Sequence, residues 1–120
     1  MAISESDWKK FKVLRELALE RFHRRVLADA KSISEKETLS PANRYRTLYR
    51  LVIGRDKDIV DIFGHYSRSW AFSSLALMVA FDLLTDDELA VLSEKALDAI
   101  SYAVRQSHEI EWVELPPSQN

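Results

Sequence analysis

An all-α fold, a small helical bundle of four main helices, is what this sequence predicts, and three observations predict it. Apolar residues recur at steps of three and four through most of the chain, the period of a helix with one buried face. Only two glycines and three prolines occur in 120 residues, too few for the many turns of a sandwich or barrel. Serine or threonine stands ahead of each periodic segment, where an N-cap belongs. At 47% hydrophobic and 30% charged residues, the composition is that of a globular chain able to build one core. We expect one domain over 1–115 and a flexible tail over 116–120, since Pro116-Pro117 ends regular structure.

The first helix is carried by Trp8, Phe11, Leu14, Ala18, Phe22 and Val26. Ser4 or Ser6 caps it, Asp7 favours its positive end, and it should run to about Lys31. A helix of that length spans nearly 40 Å at about 1.5 Å per residue, long enough to overhang a small domain. Residues 32–40 are a polar connector.

Ser40-Pro41 restarts the chain, with serine as cap and proline at the first helical position. Tyr45, Leu48, Val52, Ile59, Phe63 and Tyr66 then form the stripe expected to face the core. Gly54 interrupts it, and a mid-helix glycine costs about 1 kcal/mol against alanine, so a bend or split is expected there. Gly64 is the stop, and Ser67 or Ser69 opens the next helix.

The third helix, about 69–83, is apolar nearly all round, which assigns it the centre of the bundle. Trp70, Phe72, Leu75, Leu77, Met78, Val79 and Phe81 should mostly be buried. Thr85-Asp86-Asp87-Glu88 reads as a capping box. Leu89, Leu92, Ala96, Ile100 and Ala103 follow as one stripe, predicting a fourth helix to about Gln106. Residues 107–115 alternate partly, as a strand would, without an evident partner strand.

Several function classes are excluded or disfavoured. Without cysteine there is no disulfide, thiolate metal site or cysteine nucleophile. Isolated glycines leave no phosphate loop and no nucleophile elbow. The apolar run Trp70–Leu84 has 15 residues, short of the roughly 20 a bilayer span needs, and Met1–Lys12 has no apolar run of signal-peptide length. A soluble, cytoplasmic protein with no membrane partner is the expectation.

The chemistry-bearing candidates are few. Glu20 and His23 form a Glu-x-x-His unit, but the second unit of a di-iron bundle is missing and Arg21, Arg24 and Arg25 oppose a cation. Asp58, Asp61 and His65 fall at helical spacing as a polar cluster, with Gly64 set to end the helix before the histidine. His108 falls near the expected last helix end, where the dipole favours a cation. No cofactor, metal or catalytic residue is therefore expected.

Charge is divided along the chain. Residues 1–57 hold 14 basic and 8 acidic side chains, for +6; residues 58–120 hold 3 and 11, for −8. Two halves of one domain can attract each other this way, or a basic face can meet an anionic partner. Lys10, Arg21, Arg24, Arg25, Arg46 and Arg50 are the candidates for such an anion- or partner-binding face. Asp56, Asp58 and Asp61 would repel a phosphate backbone from the second half of a helix-turn-helix at 41–63. The leading reading is a non-enzymatic helical interaction or regulatory module that binds a protein partner or itself as a homodimer. The alternatives are a nucleic-acid-associated regulator on the basic faces of the first two helices, and a helical enzyme or ligand binder whose site converges from distant positions.

Overall fold

A computed structural model describes residues 2–114 and is all-helical among them. The order is α1 (Glu5–Ser34), α2 (Pro41–Phe63), a 3-10 turn (Arg68–Trp70), α3 (Ala71–Ala80), α4 (Asp86–Leu89) and α5 (Glu94–Ala99). The anticipated tail, 116–120, lies outside the described residues.

The two long helices set the shape. Ser4 caps α1 by accepting the amide N–H of Asp7 at 3.1 Å, and Ser40 caps α2 by accepting that of Asn43 at 3.1 Å. Ile33 and Leu39 are buried where the chain turns, so α1 and α2 form a hairpin whose connector is shorter than expected. The molecule measures 58 × 24 × 22 Å, with a radius of gyration of 17.5 Å. A compact chain of this length would give about 14 Å. The hairpin therefore makes the molecule elongated.

The core gathers at one end. Phe11, Leu14, Ala18 and Phe22 of α1 pack with Ile62 and Phe63 of α2 and with Leu75, Met78 and Val79 of α3. Leu83, Leu84, Leu89, Leu92, Ala96 and Ile100 complete it. The central place of the apolar third helix follows from this packing, although Phe72, Leu77 and Phe81 are only partly buried against the core and Trp70 is not buried. Trp70 is 49% exposed and stacks on His65, with ring centroids 4.6 Å apart.

Three boundaries differ from expectation. α2 runs unbroken through Gly54, where an added Cβ would meet nothing within 4 Å. The glycine is a cost the helix bears because Leu51 on one side and Ile62 on the other hold it in place. The fourth helix is two short ones, split at Ala90–Ser93. Its stripe is buried as read, but periodicity reports burial and not continuity. Ser93 breaks the helix because it serves two partners. Its hydroxyl oxygen accepts the Ala96 amide, and its own N–H and O–H donate to Asp7 at 2.9 and 2.5 Å.

The chain beyond Ala99 does not continue as helix to Gln106. It runs extended as a strap back along the hairpin. Gln106 donates to the Ala80 carbonyl at 2.9 Å, Arg55 to the His108 carbonyl at 3.2 Å, and the Val113 amide to the Thr47 hydroxyl at 3.0 Å. These are isolated bonds and not a ladder, which explains strand-like alternation without a partner strand. His108 is thus not at a helix end; its ring stacks on Phe81 at 4.0 Å.

α3 ends in a left-handed cap. Asp82 has φ 54°, its amide donates to the Val79 carbonyl, and the Leu83 amide donates back to Met78, both at 2.9 Å. Glycine usually holds that position. Here Arg105 bonds the Asp82 carboxylate at 3.0 Å.

Candidate interaction surface

Of the basic residues singled out in the sequence, only Arg46 and Arg50 are brought together, in a hollow lined also by Tyr45, Tyr49 and Val113. Arg21 holds Glu88 through two bonds of 2.6 and 2.7 Å and donates to the Leu83 carbonyl at 2.9 Å. Arg25 donates to the carbonyls of Phe81 and Asp82. These two arginines of α1 thus anchor the end of α3 and the loop after it. Arg24 pairs within its own helix with Glu20 at 2.8 Å. Lys10 lies half-buried near the start of α1. Arg46 and Arg50 stand exposed on α2.

The acidic cluster disperses too. Asp58 pairs with Arg55 at 3.5 Å, Asp61 is exposed, and His65 lies past the end of α2 against Trp70. Glu20 is engaged by Arg24, and His23 meets Phe22 edge-on. No group of three or more acidic or histidine side chains that could hold a metal ion occurs among the described residues. No helix among the described residues is long and apolar enough to cross a membrane.

Two ionised contacts were not legible locally. Asp7 is 3% exposed, and burial opposes its charge; the Ser93 hydroxyl and amide, then Ser4, outweigh burial and hold its carboxyl below the ordinary value. Glu88 is pulled down to about 2, first by Arg21 and then by the Thr85 amide. The capping box supplies that second bond, at 2.8 Å, as its motif predicts. Both carboxylates join α1 to the α4–α5 region across more than 60 residues.

A cleft of about 240 Å³ lies where the strap crosses α1, α2 and the end of α3. Arg25, Asp29, Arg55, Asp82 and His108 line it around Phe22 and Phe81. Its cations are already in use: Arg25 bonds Phe81 and Asp82, and Arg55 bonds His108 and Asp58. This arrangement fastens the strap.

The notable surface is on α2. Tyr45, Val52 and Tyr66, read from the sequence as part of a core-facing stripe, are 68%, 50% and 51% exposed. The buried face of α2 instead holds Asn43, Thr47 and Leu51, with Ile62 and Phe63 at its end. Thr47 fits there because its hydroxyl donates to the Asn43 carbonyl at 2.8 Å and accepts the strap's Val113 amide. Tyr49, Ile53 and Val60 extend the exposed stripe, and Leu27 of α1 borders it. A mostly apolar groove between the helices runs beside it, lined by Val26, Leu27, Val52, Asp56 and Ile59. Tyr45 and Tyr49 stack on each other with ring centroids 6.5 Å apart at the aromatic end of the stripe. The stripe's period was visible in the sequence; which way it faces was not.

The fold is thus a lopsided helical hairpin with its core at one end and an apolar helix face uncovered at the other. No protein-family model matches the chain, and neither does any curated protein or solved structure.

Proposed function

We propose that the protein is a non-enzymatic interaction module that docks another protein surface on the exposed face of α2. The observation that carries this reading is the inversion of that helix: Tyr45, Tyr49, Val52, Ile53 and Val60 face solvent while Asn43 and Thr47 are buried. Bordered by Leu27, these side chains form an exposed, largely apolar stripe, the kind of surface that marks a protein–protein contact. Tyrosines flanked by arginines are also the residues that interface centres favour. A regulatory, scaffold-like role in the cytoplasm belongs to the same proposal.

Engagement of Arg21 and Arg25 by backbone carbonyls and Glu88 weighs against nucleic acid as the partner, because it leaves Arg46 and Arg50 without a continuous basic face. The test is a photo-crosslinking residue placed at Tyr49 or, as control, at exposed Glu37 in the connector, in cells that make the protein. Defined adducts from position 49 and none from position 37 are expected. Equal labelling from both positions overturns the reading, as does nucleic acid as the adduct.

A further inference from the structure

We infer that the occupant of the α2 face is a second copy of this chain, docked antiparallel so that Tyr45 of one copy meets Val60 of the other. This rests on the reading of α2 as a docking surface and names its partner. A two-fold contact pairs each position with a fixed opposite number, and each pair occurs twice. The exposed stripe is nearly a palindrome about the bond between Val52 and Ile53. Centred there, Val52 meets Ile53, Tyr49 meets Asp56, and Tyr45 meets Val60. Asp56 is the only acid in the stripe, and this register gives it the Tyr49 phenol, which can donate to its carboxylate. Apolar pairs fill the centre and both ends.

Charge selects the direction. Among the exposed charges, residues 44–50 carry Arg46 and Arg50 and no acid, for +2. Residues 55–61 carry exposed Lys57 against exposed Asp56 and Asp61, for −1; Arg55 and Asp58 pair with each other. Antiparallel docking sets these segments against each other, whereas parallel docking sets +2 on +2. The two hairpins would lie side by side as a four-helix layer, with Leu27 of each copy closing the groove beside Val52.

The chain has no cysteine, so single introduced thiols report contacts without background. Val52→Cys protein treated with a short bis-maleimide should give a covalent dimer. Tyr45→Cys and Val60→Cys should each fail alone and cross-link when mixed. Efficient cross-linking of Tyr45→Cys to itself would mean parallel docking and overturns the inference, as does no cross-link from Val52→Cys. Sedimentation equilibrium should show a dimer at tens of micromolar, and Val52→Asp should weaken association at least 100-fold. Val52 is half-exposed, so an unchanged helical circular dichroism spectrum and melting curve for Val52→Asp separate lost docking from lost folding. A wild-type monomer at these concentrations overturns self-docking alone; the broader reading then stands or falls on the adducts formed at position 49.

Discussion

The two glycines answer opposite questions with the same side-chain absence. Gly54 lies mid-helix with open space around it, so Gly54→Ala should raise unfolding stability by up to about 1 kcal/mol in a urea titration. Gly64 ends α2, and a Cβ there would come within 2.3 Å of the Val60 carbonyl oxygen, which already accepts the Gly64 amide at 2.8 Å. Gly64→Ala should therefore destabilise the protein. Equal effects at both positions would contradict this geometry. Glu88 makes a second residue-scale prediction. Its carboxyl is held at about 2, first by Arg21, against an ordinary 4.5. A depressed carboxylate adds stability that is full above its unfolded value and is lost as pH falls toward the folded one. Thermal stability should accordingly drop between about pH 4.5 and 2, and Glu88→Gln should flatten that drop. Parallel acid profiles for variant and wild type would show that the Arg21 pair does not stabilise the fold.

At the scale of elements, what the sequence announces and what it conceals divide along local and non-local lines. Ser4, Ser40 and Thr85 cap as their motifs predict because a cap is settled within three residues. The buried stripe Phe11–Leu14–Ala18–Phe22 is legible for a related reason, since a regular period fixes one face. The break at Ser93 was not legible, because it depends on Asp7, 86 residues away. The outward turn of α2 was hidden more deeply. Its apolar period is intact, but the strap claims the opposite face through Thr47, and nothing near Tyr45 in the sequence says so. The candidate surface was therefore misread as core for want of one long-range contact. The central place of α3 was legible, and it carries a prediction. Leu75 is fully buried, and Leu75→Ala should cost about 2–5 kcal/mol through lost transfer energy and a cavity. A change below about half a kcal/mol in urea would remove α3 from the centre of the core.

At the scale of the whole molecule, the core and the exposed α2 stripe are built from different side chains, so the proposed docking would not draw on the residues that hold the fold. Phe11, Leu75 and Met78 lie fully buried among residues of α1, α2 and α3. The hairpin beyond them keeps Ile33, Leu39 and Leu51 as its own buried residues, outside that cluster. Substitutions on the exposed stripe can therefore alter docking while leaving the core intact, and substitutions around Leu75 should do the reverse.

That lopsidedness also has a consequence in time. Backbone amides open in groups whose free energies follow how much packing must be undone. Those of Phe11–Ala18 and of α3 should exchange with deuterium only when the whole molecule unfolds. Those near the hairpin turn, around Ala30 and Arg44, need release only a few buried side chains and should exchange about tenfold faster or more. Protection at Tyr49–Ile53 should also depend on protein concentration, falling on dilution as the second copy leaves, while protection at Phe11–Ala18 stays fixed. Exchange measured at two concentrations would thus draw the boundary between the part of the chain that holds itself and the part that another copy holds.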